Sequence, residues 1–260
     1  MILQGKVALI TGARRVGSLL ARELGVKGCA VALTYRSSRA AMEELAESIR
    51  QAGGQALTIA ADLSQADQSE AAVERAAREF GRLDILVNLA SVYRRTPFDQ
   101  LKPADFQDMI AHNLAAPYYA AVAAARRMRD NVPDAETDLQ GKILFFGDWA
   151  TDRPYPDYLP YLTTKGGLTT MSLALAAELA PRITVNLIQP GTVLPPDHQS
   201  EARTAAIAQA SPLKRIGRPE DVVALALCLL QDIDFATASC YRVDGGRFLG
   251  VDSLSADLEG

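Results

Sequence analysis

Histidine is nearly missing from this chain. His112 and His198 are the only two in 260 residues, which argues against a metal centre built on imidazole ligands. Cysteine is scarce as well. Cys29, Cys228 and Cys240 are scattered through apolar runs, so they read as buried thiols of a reducing compartment with no disulfide framework. Neither sign of charge dominates: 27 Lys and Arg stand against 31 Asp and Glu, a net charge of −4. That balance speaks against general binding to nucleic acid or to anionic membranes. Long hydrophobic runs are absent too. The longest, residues 222–230, is far too short to cross a bilayer, and the first residues lack the apolar segment of a signal peptide. The expectation is a soluble, cytoplasmic protein with a small-molecule substrate, no nucleic-acid or membrane partner and no bound metal.

What the chain does have is apolar content, 48%, ample for a large core at this length. Residues 6–11, 30–35, 56–61, 83–87, 143–146, 183–188 and 240–243 read as short apolar strands. Helical patterns over 40–52 and 67–80, from about 103, up to about 180, and from 218 fill the intervals. Continuous apolar strands alternating with helices predict a parallel sheet covered on both faces. With right-handed crossovers this is an α/β fold, a single-domain Rossmann-type doubly wound parallel sheet of about seven strands. No repeat or linker divides residues 1–260. The core is expected from about 5 to 248, ahead of a polar C-terminal tail. Residues 193–212 have the mixed composition of a substrate lid, with a short helix near 200–210.

The first strand runs into Thr11-Gly-Ala-Arg-Arg-Val-Gly17 and then a helix. Free N–H groups and the helix dipole favour an anion there, so Gly12, Arg14, Arg15, Val16 and Gly17 are candidate phosphate binders. The second strand ends in Tyr35-Arg-Ser-Ser38. A site specific for NAD carries an acidic residue at this place, to bind the ribose 2′-hydroxyl. Arg36 stands there instead, between Tyr35 and Ser37, and with Arg14 and Arg15 nearby it suits a 2′-phosphate. The expected cofactor is therefore NADPH/NADP+; a plain surface arginine is the alternative for Arg36.

Tyr161 and Lys165 are four apart, on one face of a helix if the segment is helical. A nearby ammonium favours the phenolate, so Lys165 should pull the tyrosine pKa below its ordinary ~10 and fit it for proton transfer near neutral pH. Asp148 lies 13 residues before Tyr161, just past the apolar strand 143–146. Strand end, loop, then helix is where an open α/β sheet gathers its reacting groups.

Taken in order, the glycine loop, Asn88-Leu-Ala-Ser91, the Asp148, Tyr161 and Lys165 set, and Gln189-Pro-Gly-Thr192 resemble the short-chain dehydrogenase/reductase family. The resemblance covers about residues 5–248. There are departures. The loop is one residue shorter than the family's Thr-Gly-x-x-x-Gly-x-Gly, with an arginine at the middle glycine. The family's Asn-Asn-Ala-Gly has become Asn88-Leu-Ala-Ser91. The resemblance implies that Asp62 and Leu63 lie against the adenine, that Asn88, Ala90 and Ser91 follow the cofactor, and that Pro190 and Gly191 approach the nicotinamide. It implies that Lys165 holds the ribose hydroxyls and that Asn113 orders a water between Lys165 and solvent. It also implies a homotetramer or homodimer.

Asp148 stands where the family carries a serine. A serine would donate to a carbonyl oxygen, whereas an ionised aspartate only accepts and repels an alkoxide. A carboxylate suits N–H groups, or a ring nitrogen that takes a proton as hydride arrives at the adjacent carbon. In this the chain is similar to the pteridine reductase branch, which has the aspartate, an Arg-hydrophobic-Gly loop like Arg15-Val16-Gly17, and an aromatic after Asn-x-Ala-Ser. That likeness implies substrate contacts at Ser91, Tyr93, Asp148, Tyr158 and Tyr161. The implied activity is NADPH-dependent hydride transfer to a C=N or C=O bond of a pteridine. Two other readings stay open: a carbonyl reductase for ketones, quinones or 3-oxoacyl thioesters, and an NADPH-binding sensor or scaffold with little turnover.

Overall fold

The chain alternates strand and helix throughout. The strands are β1 (Val7–Thr11), β2 (Ala30–Tyr35), β3 (Ala56–Ala60), β4 (Ile85–Asn88), β5 (Gly141–Phe146), β6 (Ile183–Pro190) and β7 (Ser239–Val243). The helices are α1 (Val16–Val26), α2 (Arg39–Gln51), α3 (Ala66–Phe80), α4 (Pro103–Ile110), α5 (Ala116–Met128), α6 (Leu159–Leu179), α7 (Glu201–Gln209) and α8 (Pro219–Leu227). The structure, a computed structural model, describes residues 1–194 and 200–250. All seven strands are parallel, in the order β3-β2-β1-β4-β5-β6-β7. The order reverses between β1 and β4, and the carboxyl ends beside that switch point form the crevice where such sheets bind ligands.

Side chains alternate across a strand, and the two resulting cores are distinct. Val7, Leu9, Ala30 and Ala32 pack beneath α3, α5 and α6. Ala8, Ile10, Val31 and Leu33 pack beneath α1, α2 and α8. Both faces are dry, which is why the central strands read as unbroken apolar runs. On the first face the alanines of α5, Ala120, Ala121 and Ala124, lie in one cluster with Ala72, Ala76 and Ala77 of α3.

Three features depart from the sequence reading. β5 begins earlier than the apolar run, at Gly141, because the buried Lys142 is part of the strand. Its ammonium donates to the carbonyls of Leu229 (2.9 Å) and Ile233 (2.8 Å) and pairs with Asp234 at 2.6 Å. Lys142→Met leaves those acceptors without their donor. It should lower unfolding free energy by about 3 kcal/mol, the lower end for a broken buried pair, since Asp234 is partly exposed; the urea midpoint measures it. The helix expected from residue 103 is interrupted: a π-helical turn, Ala111–Ala115, joins α4 to α5. The three cysteines are not uniformly buried. Cys29 is, Cys228 is half-buried and Cys240 is exposed, because β7 is the edge strand and only one of its faces is covered. The helix expected near 200–210 is α7, but residues 195–199 of the proposed lid, His198 among them, and the tail at 251–260 lie outside the described residues.

Candidate functional site

The site begins where β1 and β4 end side by side. Thr11 Oγ1 donates to Asn88 Oδ1 (2.9 Å) and accepts from the Ala90 amide (3.2 Å), locking the loop after β4 against β1. Gly12, at φ +68, is required by that contact: a Cβ there would come within 2.5 Å of Ala90 Cα. Arg15 also has a positive φ, 55, and the loop turns there into α1. Gly12, Arg14, Arg15 and Val16 open onto one cleft of about 1460 Å³, which Ser91, Tyr93, Asp148, Tyr158, Tyr161, Lys165, Pro190 and Gly191 also line. Glycine turn, helix start and cleft size suit a dinucleotide with room for a second small molecule.

At the centre, Tyr161 donates its hydroxyl to Asp148 Oδ2 at 2.7 Å. The other carboxylate oxygen of Asp148 accepts from the Ala150 amide (2.9 Å), capping the short turn after β5. One side chain thus fixes its own loop and accepts the tyrosine hydrogen bond. Lys165, one turn along α6 from Tyr161, donates to the Phe146 carbonyl (2.8 Å), and its Nζ sits 5.9 Å from the Tyr161 ring centroid. Asn113, turned inward by the π-helical turn, accepts from the Val92 amide (2.7 Å) and donates to the Val92 carbonyl (2.8 Å). Ser91 Oγ also donates to it, at 3.3 Å.

The electrostatics correct one expectation. The Tyr161 phenol is not depressed; burial, then the charge of Asp148 and its hydrogen bond, push its pKa well above the ordinary value. The spacing identified the shared face but not the depth, nor that the carboxylate lies closer to the phenol than the ammonium does. Burial raises the pKa of Asp148 against the pull of the Ala150 amide, Tyr161, Lys165 and Arg247. Burial lowers that of Lys165 to about 8, opposed by Asp148. Three buried titratable groups are thus drawn toward neutral forms.

Above this set stands a wall of aromatic rings. Tyr93 stacks on Tyr158 (centroids 4.7 Å apart, planes at 13°) and meets the Tyr161 ring edge-on at 4.9 Å. Tyr93 is 51% exposed. Its hydroxyl lies 3.2 Å from that of Tyr155, and burial raises the Tyr155 pKa to about 12.

Residues 12–247 match the sequence profile of a family described as enoyl-(acyl carrier protein) reductase. An uncharacterised oxidoreductase of Methylorubrum extorquens is 34% identical over 94% of this chain and 98% of its own length. A 3β-hydroxysteroid dehydrogenase 1 of Eggerthella lenta is 32% identical, over 95% of each chain. Among solved structures, a short-chain dehydrogenase from Burkholderia cenocepacia in complex with NADP superimposes with a TM-score of 0.85. It is 31% identical, over 95% of this chain and 99% of that one. The chain belongs to the short-chain dehydrogenase/reductase family. It is an NAD(P)-dependent oxidoreductase.

In this short-chain dehydrogenase/reductase the sequence-derived residues fall into two groups. Those around Asp148 and Tyr161 converge on the cleft. Tyr35, Arg36, Ser37, Asp62 and Leu63 do not line it; they sit at the ends of β2 and β3. Arg36 bonds His112 Nε2, and Asp62 accepts from Ser64 Oγ (2.7 Å) and the Ser64 amide (3.1 Å). Those bonds, with the charge of Arg36, hold the Asp62 carboxyl below its usual range. Asn88 faces inward to Thr11 and Pro117, so its contact is with the scaffold. Asn88 and Ala90 lie on the path of the chain from β4 into the cleft without lining it, and Leu63 packs against the core beneath α3 and α5. The sequence reading missed Tyr155, Trp149, Arg153, Arg203 and Arg247, all of which line the cleft. Pro154-Tyr-Pro-Asp-Tyr158 carried a usable signal, aromatics held by prolines just before the reacting helix. Arg247 carried none, since its place depends on the path of the chain after β7.

Proposed function

We propose that this chain uses NADPH to reduce a C=N bond in a pterin-like heterocycle. The observation that carries the reading is the direct 2.7 Å hydrogen bond from Tyr161 to Asp148 in a buried setting. Bound in the cleft, NADPH supplies a hydride. Asp148 faces the N–H edge of the ring: ionised, it accepts from that edge, and with its pKa raised by burial it can also carry a proton to a ring nitrogen. Tyr161, hydrogen-bonded to Asp148, relays the replacement proton, taking one up from solvent as it gives its own and so ending protonated. Lys165 keeps positive charge beneath the pair and holds the ribose hydroxyls, while Asn113 fixes Ser91 and Val92 along the cofactor's edge. Tyr93 and Tyr158 offer a flat face to a flat ring. The assembly proposed is the family's usual homotetramer or homodimer, in the cytoplasm.

Gly12, Arg14, Arg15, Val16 and Gly17 would hold the pyrophosphate, and Arg36 the 2′-phosphate. A charge-assisted pair is worth ~1.5–3 kcal/mol, and for an exposed arginine the low end applies. Arg36→Asp should therefore cut the NADPH-over-NADH preference roughly tenfold or more; titration of both cofactors by fluorescence measures it. Equal binding of the two cofactors by the wild type would refute the assignment.

A second reading is a carbonyl reductase, favoured by the hydroxysteroid activity named for the Eggerthella lenta relative. Steady-state NADPH oxidation with dihydrobiopterin, dihydrofolate, a quinone and a diketone separates the two. On the pterin reading Tyr93→Ala weakens dihydropterin binding by ~1–3 kcal/mol, the worth of base–aromatic stacking elsewhere, and leaves a small diketone nearly untouched.

A further inference from the structure

Every residue from Val92 to Thr96 is tied to another part of the fold. Asn113 clasps the Val92 backbone at both its amide and its carbonyl. Tyr93 stacks on Tyr158 and meets the Tyr155 hydroxyl. Arg94 pairs with Asp108 of α4 at 2.6 Å. Arg95 and Thr96 share a partner, Asp157. The Arg95 guanidinium donates twice to Asp157 Oδ2, at 2.9 and 2.5 Å. The Thr96 amide and hydroxyl both donate to the Asp157 carbonyl, at 2.6 and 3.3 Å. One residue of the loop before α6 therefore anchors two successive residues of the loop after β4, through side chain and main chain alike.

Asp157 does so at φ 70, in the left-handed region that costs a residue bearing a Cβ. Such a conformation persists where its surroundings over-determine it. Asp157 also immediately precedes Tyr158, the N-cap residue of α6. The turn at Asp157 delivers the Tyr158 ring, while its carboxylate and carbonyl hold the loop that carries Tyr93. Both rings of the stack, 4.7 Å apart with planes at 13°, are placed by one residue. Tyr93, Arg95, Tyr155, Asp157 and Tyr158 all line the cleft.

We infer that Asp157 is a positioning residue for substrate choice. It sets the spacing and tilt of the Tyr93–Tyr158 stack, and through the stack the preference for flat over acyclic substrates. The inference rests on the reading of those rings as the face that meets the substrate, and it holds for a pterin or a quinone alike. With side chains 63% and 28% exposed, the Arg95–Asp157 pair adds little stability. Its effect is on geometry, where a small displacement of a group that positions substrate is costly.

The test compares NADPH-saturated wild type with three variants. D157G adopts φ 70 without strain and deletes the carboxylate. D157N also tolerates the left-handed region and keeps an oxygen for Arg95. R95Q cuts the clamp from the other side, and Y93A is the control for the face itself. For D157G the KM for dihydrobiopterin should rise at least roughly fivefold, with kcat changed less. The ratio of kcat/KM for dihydrobiopterin over that for butanedione should fall by a similar factor. R95Q should move the same way by less, and D157N should stay within about twofold of wild type. A second readout needs no turnover. In protein labelled with fluorotyrosine, the fluorine resonances of Tyr93 and Tyr158, assigned with Y93F and Y158F, should shift in D157G and return in D157N. An unchanged ratio in D157G overturns the inference, and so do unmoved resonances. If Y93A also leaves the ratio unchanged, the face reading has failed; if Y93A lowers it and D157G does not, Asp157 alone is removed. Where dihydrobiopterin is not reduced, menadione takes its place in the ratio, and turnover of neither flat compound overturns the inference together with the face reading.

Discussion

Tyr161→Phe lowers kcat by about 10²–10⁴, the usual worth of a general acid, while NADPH affinity changes little. The ring packs in the apolar cluster with Met109, Trp149 and Leu162, and phenylalanine keeps that packing. What disappears is the O–H that Asp148 Oδ2 accepts. Asp148 is left with only the Ala150 amide, at a cost of about 1–3 kcal/mol for the unsatisfied acceptor, so the variant should unfold at lower urea but remain folded. Stopped-flow hydride transfer, compared with cofactor titration, separates chemistry from binding. A variant retaining most of its rate would show that Tyr161 is not the donor. The pH profile gives a second check. Tyr161 is held above its ordinary value, so its proton stays on through the working range. The basic limb then belongs to Lys165, which loses its charge near pH 8, and kcat/KM should fall there instead of near 10. The same shift has a stability sign. From about pH 8 to the ordinary lysine value of 10.5 the unfolded chain binds more protons than the folded one, so stability rises with pH across that window.

Asp148→Ser should change substrate choice more than it changes the fold. Serine can still cap the turn at Ala150, since serine and aspartate are comparable caps. Its single oxygen cannot replace both carboxylate oxygens, so the bond from Tyr161 is given up. What it cannot do is carry charge against an N–H edge or deliver a carboxylic proton. The expected result is a fall of at least roughly tenfold in kcat/KM for a dihydropterin, the worth of one charge-assisted bond, with diketone reduction kept or improved. The diagnostic is the ratio of the two kcat/KM values in wild type and variant. An unchanged ratio, with both rates lowered together, would make Asp148 a loop cap and leave the carbonyl reductase reading.

The fold was legible because a buried parallel strand has one signature, a short apolar run, and this chain writes it seven times. The exceptions follow from physics that periodicity does not carry. Lys142 hides a strand start because its charge is answered by carbonyls nearly ninety residues away. Cys240 is exposed because exposure at an edge strand depends on sheet order, which the chain does not display locally. For the site, the spacing of Tyr161 and Lys165 established a common helix face, and Asp148 was found from its place after β5. The direction of the Tyr161 shift was missed because the spacing does not show burial, and because Lys165 donates to the Phe146 carbonyl while Asp148 accepts the phenol hydrogen bond. Arg36 was read correctly as lying at the end of β2, but its neighbour His112 comes from the π-helical turn and no local pattern links the two.

That turn between α4 and α5 has a consequence for which lengths of chain this site tolerates. Each residue of an α-helix advances the azimuth by about 100°, so the widened turn works as a phase shifter between two helical segments. Upstream, the phase must aim Asn113 at the Val92 backbone. Downstream, it must lay Ala120, Ala121 and Ala124 against the alanines of α3. A regular helix would serve one of these alignments and miss the other. Deleting one residue from 111–115 would therefore leave the sequence as helical as before yet force a choice: an asparagine swung away from Val92, or a small-residue seam rotated off its partner.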